Sequence, residues 1–197
     1  MTVECPAPCE WSVAVRMINI MGIMIREYRC ADAAVTMAVF QRSITGLASR
    51  DYDDRQVRAW AAHTGSAGEW NSRRMAAHTW VAEWSDGAFT NADDAADCEA
   101  EEDAARRSRP LVGFIDVDDA GYIDMLFVEP VYSGRGVAST LLDRVERFAQ
   151  DTGITRLTVH ASITARPFFL HRGFHTVATR RPMIGDVAFT NYLMTRP

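Results

Sequence analysis

Hydrophobic positions change period several times along the chain, and the changes mark out the elements. Ile23–Arg29 reads as a strand. Asp32 then stands where a helix cap belongs, ahead of a predicted helix over Ala33–Leu47 with Val35, Val39, Phe40 and Ile44 on one face. Asp53 and Gln56 have capping-box spacing and predict a second helix running past Val57 and Trp60. Ala77–Trp84 reads as a strand. From Pro110 the alternation is cleaner: Leu111–Val117, a turn at Asp118–Gly121 and Tyr122–Val128 predict a hairpin. After Gly134-Arg135-Gly136, Val137, Leu141, Val145 and Phe148 form a helical stripe that Gly153 stops. Leu157–Ala161 is a short buried strand. A helix begins at Ser162 or Thr164, with Pro167 in its first turn, where a missing N–H is tolerated, and ends at Gly173. His175–Thr179 and Val187–Met194 are the last strands, joined through Pro182 and Gly185. Adjacent antiparallel strands plus one strand–helix–strand crossover predict a mixed α/β fold, with a mostly antiparallel sheet of six or seven strands and helices on both faces.

Composition sharpens this picture without redirecting it. A chain of 197 residues suits one domain, here 22–197, preceded by an extension over 1–21 that Pro6 and Pro8 interrupt. A stretch at 86–109 looks inserted: Asp86 to Asp103 carries eight acidic residues before Arg106, Arg107 and Arg109 follow. It reads as a solvated loop or short helix, and attraction of a cationic substrate is the alternative. The net charge of −5, with every basic residue an arginine, argues against general nucleic-acid binding. No apolar run reaches the 18 or so residues of a membrane span, since Arg26 ends the run from Met17, so a cytoplasmic protein is expected. Cys5, Cys9, Cys30 and Cys98 lack the spacing of a metal site and are expected as free thiols, with no metal bound.

The stretch from Leu126 to Ser139 carries the chemistry. A strand ends at Val128, Pro130 stops it, and glycines lead directly into a helix. Gly134 and Gly136 let backbone N–H groups turn toward a ligand with no Cβ between, and the helix N-terminus adds unpaired donors and partial positive charge. Such a turn seats phosphates, and Arg135 brings a full charge beside it. It is not a Walker loop, because no Gly-Lys-Ser/Thr follows. It is not a dinucleotide fingerprint either, because Ser139 stands where a third glycine belongs.

The same stretch resembles the acyl-CoA-binding motif of the GCN5-related N-acetyltransferase (GNAT) family, whose loop has the form Arg/Gln-x-x-Gly-x-Gly/Ala. Ser133-Gly134-Arg135-Gly136-Val137-Ala138 matches it, as do the strand Met125–Val128, Pro130, and the later block from Ser162 to Phe169 closing at Gly173-Phe174. The resemblance is strong over 110–197 and looser over 23–84. It implies a GNAT-like sheet and transfer of an acetyl group from acetyl-CoA, as co-substrate, to a primary amine by direct attack. The acceptor would be a small-molecule or peptide amine. It further implies that the cofactor contacts Leu126, Phe127, Val128, Ser133, Gly134, Arg135, Gly136, Val137, Ala138, Ser139, Ser162 and Phe169. Three positions depart from the family pattern: Ser133 replaces Arg or Gln, Ser162 replaces Asn, and Phe169 replaces a tyrosine that protonates the leaving thiolate. The last departure keeps open a second reading, a non-catalytic acyl-CoA-binding module; an unrelated nucleotide-binding protein is a third.

An alkyl amine has a pKa near 10 and must lose a proton before it attacks. Asp124 is the first candidate to receive that proton, on the argument that 124, 126 and 128 share one strand face; Glu129 is the second. Tyr132 is the candidate acid for the thiolate, with Tyr192, Ser162 and His171 as alternatives. Trp60, Trp70, Trp80 and Trp84 lie in the half where this family builds its acceptor pocket, and any two lining it would favour an aromatic or cationic acceptor. Strand edges at the C-terminal end suit a homodimer.

Overall fold

A computed structural model describes residues 22–85 and 109–197. The extension at 1–21 and most of the acidic insertion therefore lie outside the described residues. The chain runs β1 (Ile23–Glu27), α1 (Ala33–Gly46), α2 (Asp54–Ala61), α3 (Ala67–Ala76), β2 (His78–Trp84), β3 (Leu111–Val117), β4 (Tyr122–Val128), α4 (Val137–Thr152), β5 (Leu157–Ser162), α5 (Arg166–His171), β6 (His175–Arg180), β7 (Met183–Ile184), β8 (Val187–Ala188) and β9 (Asn191–Arg196). Seven strands form one sheet in the order β1-β2-β3-β4-β5-β9-β6, and β7–β8 is a separate two-stranded ribbon. All neighbours in the sheet are antiparallel except β4 and β5. The mixed, mostly antiparallel sheet expected from the pattern is therefore present.

Both faces of the sheet are covered. The α4 side is apolar, with Val137, Leu141, Leu142, Val145 and Ala149 packing against Val112, Ile115 and Ile123. The other side holds Val39, Phe40 and Ile44 of α1, Val57 of α2 and Trp70 of α3 against Val81 and Phe114. Strand β3 is buried along almost its whole length because it lies between these two layers. Among the described residues no helix is long and apolar enough to cross a membrane.

Three local expectations change. The pattern gave two helices between β1 and β2, and the structure has a third, α3. Its capping box is legible in hindsight, with Ser66 Oγ accepting from Glu69 N–H and Glu69 reaching back to Ser66 N–H. Its inner face is Trp70 and Arg74, so a buried charge stands where periodicity expects an apolar residue. Asp32 stands at the N-cap of α1 but makes no cap bond to it. Its carboxylate instead accepts from Arg29 N–H at 2.8 Å and pairs with both terminal nitrogens of Arg26. The single last strand expected over Val187–Met194 breaks between Ala188 and Asn191, where Phe189 N–H bonds Pro182 O and Thr190 O accepts from the Tyr52 hydroxyl. The Asp53–Gln56 capping box forms as expected, with bonds of 2.8 and 3.0 Å.

Candidate active site

Strands β4 and β5 are registered only at Tyr122–Thr158 and Ile123–Val159, and no pairing follows. The gap falls between the one parallel pair of the sheet. Glu129 N–H donates to Val112 O at 2.8 Å, so alternation along an antiparallel strand turns Phe127 toward β3 and turns the N–H and C=O groups of Leu126 and Val128 toward the gap. Beyond the gap, Pro130–Tyr132 makes one 3-10 turn, and Gly134 and Gly136 follow at φ +75° and +86°. Nothing stands within 4 Å of where a Cβ would be on Gly134, and only the tip of Ile23 approaches that point on Gly136. Residues 133–136 are exposed, and among the described residues no side chain caps the 16-residue helix α4 that starts at Val137. Its first-turn amides therefore point outward with no side chain to satisfy them. Arg135 lies over the rings of Trp84 and Tyr132, at 5.7 and 5.5 Å.

On the opposite side of the gap from α4, a cavity of about 440 Å³ opens. Its floor is Met125 and Phe127 of β4. Its walls come from Phe40 of α1, Tyr52, Trp60 of α2, and Phe189 beside β8. Trp60 lies edge-to-face with Tyr52, Phe127 and Phe189, at centroid distances of 5.4, 6.3 and 6.2 Å.

Polar side chains of the sheet reach this cavity, Ser162 and Asn191 among them, and two polar groups stand near the parting of the strands. The first is Tyr122 with His160 of β5. The Tyr122 hydroxyl lies 2.9 Å from His160 Nδ1, just where the strands part. Burial raises the Tyr122 phenol to about 12, and burial together with the Arg180 charge lowers His160 below its ordinary value. The second is Asp124. A β-bulge opposite Asp116 and Val117 interrupts the alternation, so Asp124 does not share a face with Leu126 and Val128 as the strand argument expected. Ile123, Leu126 and Val128 pack toward α4, while Asp124 is half exposed in the cavity beside Met125 and Phe127. Asp116 occupies the bulge: its carboxylate accepts from Met125 N–H at 2.8 Å and lies 2.7 Å from Arg74 Nε, with both side chains almost wholly buried. Burial pushes the Asp116 carboxyl up to about 6 against the pull of Arg74. Arg74 also reaches Asp124 at 3.4 Å and lies over the Trp70 ring.

The structure therefore brings Asp124, Leu126, Phe127, Ser162 and Phe169 to one cavity. Val128 and the 133–139 turn lie at the adjoining end of the gap. Tyr132 is not among the cavity residues and packs on Trp84 at 5.0 Å. Glu129 points away to Arg42 at 2.8 Å, and Tyr192 lies under Arg166. His171 is exposed and does not line the cavity either. Ser162 Oγ accepts from Ala165 N–H at 3.0 Å, and Phe169 is buried against Phe174. Of the four tryptophans considered, Trp60 alone lines the cavity. The sequence reading missed Tyr122, His160 and Arg74. Tyr122 meets His160 because β4 and β5 are neighbours, and Arg74 meets Asp116 where α3 packs on β3, so only the tertiary arrangement could have revealed these pairings.

Comparison with known proteins agrees with this geometry. The sequence matches the acetyltransferase (GNAT) domain over residues 48–195. It is 37% identical over 173 residues to the uncharacterized N-acetyltransferase YafP of Escherichia coli K12, covering 88% of this chain and 95% of that one. Among solved structures it resembles a GCN5-related N-acetyltransferase from Rhodopseudomonas palustris, at 30% identity and TM-score 0.73, covering 91% of this chain and 98% of that one. The PaiA N-acetyltransferase of Thermoplasma acidophilum, solved with coenzyme A, shares the fold at 16% identity and TM-score 0.60, covering 89% and 99%. With a parted β4–β5 pair, a glycine turn at its mouth and a family match over most of its length, the chain belongs to the GCN5-related N-acetyltransferase family and is an acyltransferase.

Proposed function

We propose that the protein transfers an acetyl group from acetyl-CoA directly to a primary amine. The observation that carries this reading is the parting of β4 and β5 beyond Ile123–Val159, with the glycine turn at one end and the cavity on one side. The turn fits a diphosphate: two positive-φ glycines leave space that a Cβ would fill, and α4 presents uncapped amides. The Leu126 and Val128 backbone groups facing the gap would align the pantetheine arm and receive the thioester oxygen as it gains charge. Acetyl-CoA supplies the activated carbonyl.

The amine would arrive as an ammonium and be drawn to Asp124. His160 would take its proton. Burial and Arg180 keep the imidazole neutral at pH 7, and the tautomer required donates Nδ1–H to the Tyr122 oxygen, leaving the Nε2 lone pair free. The free amine then attacks the carbonyl, the tetrahedral adduct collapses with cleavage of the C–S bond, and the proton shed by the newly acylated nitrogen passes through water to the departing thiolate. Phe169 cannot protonate that thiolate. Water can, since a thiol pKa near 8 to 9 demands no strong acid. Titration calorimetry with coenzyme A, followed by thiol release from acetyl-CoA in the presence of primary amines, tests the reading. Binding with amine-dependent release is expected. Binding without release for any amine would leave an acyl-CoA-binding module instead.

A further inference from the structure

The cavity's chemistry is lopsided, and the imbalance bears on what kind of amine it receives. Of the seven Phe, Tyr and Trp side chains that line it among the described residues, five pack ring against ring with one another. Phe40, Tyr52 and Phe189 are buried, whereas Trp60 and Phe127 keep part of their surface uncovered. The buried three hold the other two at fixed edge-to-face angles of 64° to 74°. The uncovered rings therefore form a preorganised apolar slot. Against this, Asp124 is the one carboxylate among the described residues that line the cavity, and it lies at the parting of the strands, beside the proton-accepting pair. The remaining charged lining residue among those described is Arg73, an exposed guanidinium that donates to Thr64 O at 2.5 Å. Arg73 repels a second ammonium, and a chain of several amines finds no second carboxylate here.

From this arrangement we propose that the acceptor is an arylalkylamine: one primary ammonium, held at Asp124, on a short linker to a planar aromatic body that lies against the uncovered surfaces of Trp60 and Phe127, which meet edge-to-face at 6.3 Å. The proposal rests on the acetyl-transfer reading above and narrows its acceptor. Aromatic rings favour offset and edge-to-face neighbours, which the two uncovered rings offer to a third. The ammonium demands both Asp124 and a proton acceptor, whereas an arylamine, already neutral at pH 7, needs neither. A peptide N-terminus would lay backbone amides on the faces of Trp60 and Phe127, which offer them no hydrogen-bond partner.

The test compares kcat/KM for 2-phenylethylamine, n-propylamine, aniline and spermidine, using acetyl-CoA and the full chain. 2-Phenylethylamine is expected to exceed each of the other three at least tenfold, the discrimination an apolar pocket gives for several buried carbons. In Trp60→Leu, and separately in Phe127→Leu, its advantage over n-propylamine should fall to under threefold; melting temperature and coenzyme A binding confirm that each variant is folded. Equal rates for 2-phenylethylamine and n-propylamine overturn the aromatic slot. Preference for spermidine overturns the single-cation site, and preference for aniline overturns the ammonium requirement; in all three cases acetyl transfer itself stands. Coenzyme A binding with no amine acetylated overturns the transfer reading and this proposal together.

Discussion

The two ends of the site are built from different materials. The end proposed for the cofactor is backbone: a strand edge unpaired among the described residues, two glycines in left-handed conformation and the first turn of α4, contiguous over residues 126–139. The acceptor end is side chains from α1, α2, β4, β5 and the stretch beside β8, spread from Phe40 to Asn191. A backbone seat depends little on its side chains, so it would serve any member of a family that uses the same donor. A side-chain cavity changes with every substitution, so the acceptor can differ among proteins that share the loop. The buried Arg74–Asp116 pair links the two halves by locking the bulge that turns Asp124 toward the cavity and leaves Leu126 facing α4.

The linking pair gives the largest expected effect. Arg74→Leu strands a buried carboxylate and should destabilise the fold by about 3–5 kcal/mol, read as a shift in denaturant midpoint. It should also push the Asp116 carboxyl still higher. The acceptor end comes next. His160→Gln should lower kcat for 2-phenylethylamine by about a hundredfold or more while coenzyme A affinity stays within a factor of about two. Wild-type kcat should fall on its acid side, with a half-maximum below pH 6.5, because the base is neutral only above its lowered pKa; burial first, then Arg180 and, in the opposite sense, Asp124 set where it falls. That acid limb should be lost in the variant. If both sites were one unit, His160→Gln would weaken coenzyme A as well.

The cofactor end should respond in the opposite sense. Replacing Gly134 and Gly136 together by valine strains two positive-φ positions and fills the open space, and should weaken coenzyme A by at least about thirtyfold in calorimetry. The smallest effect is Tyr132→Phe. Its ring packs on Trp84 outside the cavity, so kcat should change less than about twofold; a larger loss would return Tyr132 to the role of acid.

How much of this was legible follows the same division. The hairpin, the glycine turn and α4 were readable because each is a local pattern, and the loop motif pointed to the family. Helix α3 was not, because its inward positions include Arg74, whose burial makes sense only beside Asp116 on β3 and Asp124 on β4. Asp124 was placed in the site on a face argument that the bulge invalidates; Tyr132, the candidate acid, packs on Trp84 and does not line the cavity. Trp70 lies in the core and Trp80 on the far face against Phe148 and Arg144, and no count of tryptophans could separate them from Trp60.

By itself, the amino-acid sequence determined the glycine turn and the start of α4: glycine conformational freedom and helix-terminal amides depend on neighbours in the chain, so a short motif specifies them. Only tertiary structure decided the acceptor end. Tyr122 meets His160 because β5 lies parallel to β4 at that one point, and Phe189 meets Trp60 across more than a hundred residues. Contacts between strands and layers are set by packing of the whole sheet, and no local window of sequence contains them.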